Sequence, residues 1–163
     1  MHYEPTAPIG AHGWAIQQVG PWVLGHWDAS MNEERVLACR RLYRAARDGH
    51  GRFSVLAVFT AHPFELDLLV GGRTRALVVS LLTEFRSSVD AIICPLDGTG
   101  LRASIMRAAA ASVVHALPTR MPIHFPSNLE EGLRIARDGK LFDRVPEAVI
   151  RRQMELLRER ARS

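Results

Sequence analysis

The stretch AIICPLDGTGLRAS, residues 91–104, decides how the rest of the chain is read. Ala91–Cys94 is a short apolar strand, Gly98-Thr99-Gly100 is a turn, and a helix starts behind it. A strand that passes through glycines into a helix is the repeating unit of an α/β fold. Gly98, Gly100 and Ala103 also satisfy G-x-G-x-x-[G/A], the spacing that lets backbone amides at a helix start approach a pyrophosphate. The context favours a plain strand-to-helix corner. The turn follows the fourth predicted strand, and only one strand remains after it. The residues about 20 positions on, Arg120 to Phe125, hold no acid for a ribose.

Working outward, WAIQQV (14–19) and WVLGHW (22–27) form a predicted hairpin about Gly20-Pro21. Ser30 and Glu33 stand in capping-box spacing and open a helix that runs to about Arg47 and stops at Asp48-Gly49. Val36, Cys39, Leu42, Tyr43 and Ala46 are its apolar stripe, opposite Arg40, Arg44 and Arg47. FSVLAVF (53–59) is a nearly continuous apolar run, as in a strand covered on both faces. Residues 74–85 have helical spacing, with Leu77, Val78, Leu81, Leu82 and Phe85 on one face. After the strand at 90–96 comes an alanine-rich helix, 101–117, with Leu101, Ile105, Ala109, Val113 and Leu117 aligned as its inner stripe and Pro118 at its end. Residues 121–125 are a last strand. Asn128 and Glu131 cap a helix that ends near Gly139.

The predicted order is β-β-α-β-α-β-α-β-α. It implies an α/β fold with a mixed, mostly parallel five-stranded sheet and helices packed against it. Residues 1–13 read as a loose polar arm, 14–139 as the domain, and 140–163 as an arginine-rich C-terminal helix. That helix carries a narrow stripe of Val149, Ile150, Met154 and Leu157. The stripe packs on the domain or on a second copy, so a homodimer through it is one expectation.

The chain has 163 residues, 47% of them apolar, enough for one domain with a real core. No apolar run approaches the roughly 18 residues of a membrane span. The formal net charge is +4, and residues 140–163, with seven basic and four acidic side chains, carry +3 of it. A nearly neutral body argues against nucleic-acid binding, which uses a basic face on the folded part. Cys39 and Cys94 lie in apolar segments and read as free thiols in a reducing cytoplasm. No start typical of a secretory signal is seen.

No catalytic set assembles from the remaining candidates. His62, Glu65 and Asp67 follow a buried strand, where α/β sites sit, but no further His or Cys stands at a metal-ligand spacing nearby. His26 and Asp28 suit acid–base work, yet no nucleophile elbow accompanies them. Asp28 is read instead as capping the entry to the first helix. His115 and His124 read as partly buried structural residues. Gly71-Gly72-Arg73 is too short for a phosphate loop.

The segments GHWDASMNEE, FSVLAVF and AIICPLDGTGLRASIMRAAAASVV, followed by MPIHFPSNLEEGLRIA, resemble STAS-type domains, the bacterial anti-sigma-factor antagonists and their lipophilic-ligand-binding relatives. The resemblance spans residues 14–137. It implies a small mixed sheet with helices on one side and a regulatory or binding module without catalysis. Signalling members carry a phosphorylatable serine in a D-S-S-G-like loop after the central strand. Here that loop reads TAHPFE from Thr60 on, so no phosphorylation switch is carried over.

The leading expectation is a non-enzymatic cytoplasmic module, without cofactor or metal, that engages a protein partner or a hydrophobic small molecule. The helices at 77–85 and 101–117 would line a cavity. Trp22, Trp27, Phe64 and Leu66 are expected to be exposed and to form a partner surface. The alternative is a nucleotide- or phosphate-binding protein or enzyme that uses the turn Gly98, Gly100 and Arg102 with the loop from His62 to Asp67. Arg102 would then pair with phosphate, and His62 or Asp67 would act as base.

Overall fold

The hairpin forms with the expected bounds in the computed structural model, which describes residues 4–60, 72–98, 100–115 and 121–163. Strands β2 (Trp14–Val19) and β3 (Trp22–Trp27) pair antiparallel. A short strand β1 (Ile9–Ala11) adds to the outer edge of β2. Beyond it Pro5 bridges to Val19, and Thr6 N donates to Gln18 O at 2.9 Å. The expected loose arm therefore contributes sheet.

Helix α1 (Glu33–His50) leads to β4 (Phe53–Thr60), which lies parallel to β3. Asn32 caps α1, its Oδ1 accepting from Arg35 N at 3.0 Å, where Ser30 was expected. Asparagine is as good a cap as serine, and it leaves Glu33 and Glu34 in the first turn, where the helix dipole favours acids. The chain continues through α2 (Arg73–Phe85), β5 (Val89–Ile93), β6 (Leu96–Asp97), α3 (Leu101–His115) and β7 (Ile123–His124). Helix α4 (Leu129–Asp138), a 3₁₀ turn (Leu141–Asp143) and α5 (Glu147–Arg162) complete it. Asn128 caps α4 as read, accepting from Glu131 N at 2.9 Å.

The sheet is not the mostly parallel five-stranded one expected. It is a mixed sheet of seven strands in the order β1-β2-β3-β4-β5-β7, with β6 paired to β4. The pairs of β1 with β2 and of β2 with β3 are antiparallel; the others are parallel. Helices cover both faces rather than the one face implied by the resemblance, and two separate clusters of core residues result. The reason is the path of the chain. Strands β4, β5 and β7 are each laid on the same side of the sheet beyond β3, and right-handed crossovers then place α1, α2 and α3 on a single face. From β7 the chain returns across the opposite face as α4 and α5. Phe53, Val55, Ala57 and Phe59 of β4 face one layer, and Leu56 and Val58 the other, so the apolar run of β4 is explained.

Helix α3 turns differently from its expected stripe. Leu101 is 77% exposed and Ile105 50%, while Ala103 and Ala110 face inward. The side chains of Ala109 and Val113, and Leu117 entirely, lie outside the described residues. Small inward residues let the helix approach the sheet closely. The stripe of α5 is seated within its own chain. Ile150, Met154, Leu157 and Ala161 are buried against Ala15, Val19, Trp22 and Leu24 of the hairpin. No helix among the described residues is long and apolar enough to cross a membrane.

Truncation after Gly139 would uncover one face of β2 and β3. Such a chain is expected to lose its dispersed NMR spectrum and cooperative urea transition, whereas the full chain keeps both.

Candidate functional site

The floor of the candidate site is set by strand register. Along β3 and β4 the paired residues on the α1–α3 face are Val23 with Val55, Gly25 with Ala57, and Trp27 with Phe59. Their sizes run medium, small, large. The Trp27 indole leans over Gly25, and a hollow remains between this face of the sheet and the helices. Val36, Cys39 and Tyr43 of α1, Val78 and Leu82 of α2, and Ala110 and Val114 of α3 close around it. The resulting cavity holds about 130 Å³. Protein interiors are normally packed without such gaps, and a dry apolar cavity of about 150 Å³ accepts a molecule of benzene size.

The lining is almost wholly carbon and sulfur. Burial pushes the thiols of Cys39 and Cys94 up to about 12. Burial also raises the Tyr43 hydroxyl well above its ordinary value. All three groups are neutral near pH 7, so the lining carries no charge from them.

Aromatic stacking closes one end of the cavity. The Trp27 indole lies between Trp14, at 5.4 Å between ring centroids, and Phe59, at 5.9 Å. Gly25 is needed beneath it. A Cβ at that position would stand 2.7 Å from Trp27 Nε1 and 3.3 Å from Ile16 Cγ2. Glycine inside a strand often marks such a close approach. This was the signal in WVLGHW that pointed to the site and that reading the tryptophans as surface residues missed.

Trp22 and Trp27 are each only 1% exposed and cannot form the exposed partner surface expected of them. Trp22 lies on the opposite face and stacks on Phe142 at 5.5 Å. Phe64 and Leu66, with His62, Glu65 and Asp67, lie outside the described residues, as do Thr99, Gly71 and the side chain of Arg102. His115 and His124 are exposed rather than partly buried.

The second group of candidates sits where the parallel strands end. Thr60 of β4 pairs in register with Asp97 of β6, and Gly98 and Gly100 follow with φ of 146° and 86°. These positive values require glycine and turn the chain sharply into α3. On the α5 side of the same edge, His26 Nε2 is 3.1 Å from Asp28 Oδ1, and the Thr60 hydroxyl donates to that oxygen at 2.9 Å. An activated nucleophile needs the imidazole between acid and hydroxyl. Here the carboxylate separates them. Asp28 N also donates to Gly13 O at 2.7 Å. The cluster therefore ties β3 and β4 to the turn between β1 and β2, and Asp28 does not cap α1.

Compared with known proteins, the chain matches no family model, and no curated protein or solved structure matches it significantly.

Burial lowers the pKa of His26, outweighing the opposing pull of Asp28, and Arg158 and Arg162 add to the lowering. The folded state thus favours the neutral ring. Its contribution is full above the unfolded pKa near 6.5 and is lost as pH falls through that value toward the folded one. Stability is expected to fall between pH 7.5 and 5.5, and His26→Gln should flatten that fall in thermal melts. The raised thiols give a second test. Iodoacetamide at pH 8 should label the native protein at least about ten-fold more slowly than the urea-unfolded chain.

Proposed function

We propose that this protein is a non-enzymatic binding module that takes a small, uncharged, largely apolar molecule into the cavity between the sheet and α1, α2 and α3. The observation that carries the reading is the apolar cavity between the sheet and the three helices. Side chains that line about 130 Å³ of unfilled space forgo part of their dispersion contacts. A ligand that fills it recovers much of that loss and adds burial of its own surface. This is the kind of activity that the resemblance to STAS-type, lipophilic-ligand-binding domains implies. Two free thiols beside the cavity suit a reducing, cytoplasmic setting.

A protein-partner reading draws on Leu101 and Ile105, exposed one turn apart on the outer side of α3. It is the weaker of the two, because two apolar residues make a small patch. The nucleotide reading draws only on the turn at Gly98 and Gly100. The carboxylate of Asp97, exposed immediately before that turn, disfavours a phosphate there.

Filling the cavity tests the proposal. Ala110 is buried on α3 and lines the hollow. Ala110→Leu is expected to keep or raise the melting temperature and to weaken binding of ethylbenzene at least ten-fold, followed by NMR titration. Ethylbenzene bound equally by both proteins would place its site elsewhere and refute the reading.

A further inference from the structure

A second hollow lies on the other face of the sheet, at the edge where β3, β4 and β5 begin. Trp22, Ser54 and Asp90, each near the start of its strand, form the floor. Lys140, Leu141, Asp143 and Arg144, in and beside the 3₁₀ turn, form the rim. The hollow holds about 270 Å³, room for a small organic molecule rather than a single water. Ser54 points into this layer because its neighbours Phe53 and Val55 face the other one. It is 5% exposed, and its hydroxyl makes no hydrogen bond to the described residues. Unlike the sealed nitrogen of Trp27, the Ser54 oxygen keeps accessible surface, on the hollow. Buried hydroxyls are normally paired, so this one calls for a partner that enters from outside. The charged groups around it are largely uncommitted. Lys140 and Asp143 form no ion pair with the described residues, and Arg144 donates only to Arg52 O, at 3.4 Å. Asp90 Oδ1 accepts from Arg52 Nε at 2.5 Å, which leaves Oδ2 without a partner among the described residues. Lys140 is the chain's one lysine and stands at φ 54°, the only non-glycine at positive φ among the described residues. Glycine would take that conformation without strain, so a long cationic side chain kept there points to a use for it.

We propose that this hollow is a second binding site, and that its ligand is a small zwitterion, an α-amino acid with a short apolar side chain. The carboxylate is received by Lys140 and Arg144, with the Ser54 hydroxyl donating to it. The ammonium is received by Asp143 and by Oδ2 of Asp90. The apolar side chain lies against Leu141 and Trp22, which line the hollow. The site is separated from the apolar cavity by the sheet and does not depend on it. The mixture of charges selects the ligand. Two cations and two carboxylates face the space together, so a phosphate would meet the acids and a diamine the cations, and like charges brought together reject both. A neutral apolar molecule would strip water from four charges and leave Ser54 unpaired. A zwitterion matches both signs at once, through charge-assisted hydrogen bonds, which are the strong ones.

Three probes on one carbon skeleton test the site. L-Leucine carries both charges, 4-methylpentanoate only the carboxylate, and isopentylamine only the ammonium. Each is titrated into the full chain near neutral pH and followed in the ¹⁵N NMR spectrum. L-Leucine is expected to move the amide resonances of Ser54, Asp90 and Asp143 and to bind at least about ten-fold more tightly than either of the others. This comparison needs no variant. Lys140→Gln and Asp143→Asn change exposed side chains, so the dispersed spectrum should persist, and each is expected to weaken L-leucine at least about five-fold. Equal binding of the three probes, L-leucine that leaves those resonances in place, or undiminished binding by both variants would overturn the proposal. Inorganic phosphate bound more tightly than L-leucine would also overturn it, by showing an anion site. None of these outcomes bears on the apolar cavity, which ethylbenzene tests separately.

Discussion

The parallel register of β3 against β4 is the constraint on which the other features depend. It sets Gly25 beside Ala57 and Trp27 beside Phe59. Gly25 leaves room for the Trp27 indole, and Ala57, Trp27 and Phe59 line the cavity. A slip of one residue along either strand would send every side chain of that strand to the opposite face. Gly25 would then lie under α5, and His26 and Asp28 would be turned into the apolar layer, away from Thr60. The fold resists such a slip from both sides. Trp14, Trp27 and Phe59 stack on one face, while His26, Asp28 and Thr60 are joined by hydrogen bonds on the other.

The cavity and the hydrogen-bonded cluster lie close in sequence but on opposite faces of the sheet. Adjacent residues of one strand alternate sides, so Trp27 belongs to the apolar layer and His26 and Asp28 to the polar edge. The chemistry of each is fitted to its side. Burial keeps the thiols, the tyrosine and the imidazole toward their neutral forms. The ionised pairs are elsewhere. Arg44 with Glu84, at 2.8 Å, joins α1 to α2, and Arg137 with Glu147, at 2.9 Å, joins α4 to α5.

Local signals in the sequence were read well where one element decides them. The hairpin, the doubly covered strand at 53–59, the helix at 74–85 and the Asn128 cap follow from turn residues, apolar runs and capping chemistry. What the sequence leaves illegible depends on which surfaces meet. Leu101 and Ile105 look like a buried stripe because they are large, but α3 turns its alanines inward to lie close to the sheet. The burial of the tryptophans at 22 and 27 is not legible, because nothing in a strand of six residues says that helices cover both faces. The strand in the N-terminal arm was hidden by its length, since three residues next to glycines carry no periodicity. Gly25 was the legible trace of the site: a residue without a side chain set among bulky ones in a strand.

The seating of α5 on the hairpin also orders events in time. Gly13, before β2, donates its N–H to the carbonyl of Ala161 in the last turn of α5 at 2.7 Å. The hairpin therefore receives its cover from a helix far later in the sequence. During synthesis the hairpin leaves the ribosome long before α5 exists, with Trp22 and Leu24 exposed on the uncovered side. Such long-range closure is slow, and apolar strands waiting for a partner invite aggregation. The nascent chain must wait for α5 before this face of the hairpin can be buried.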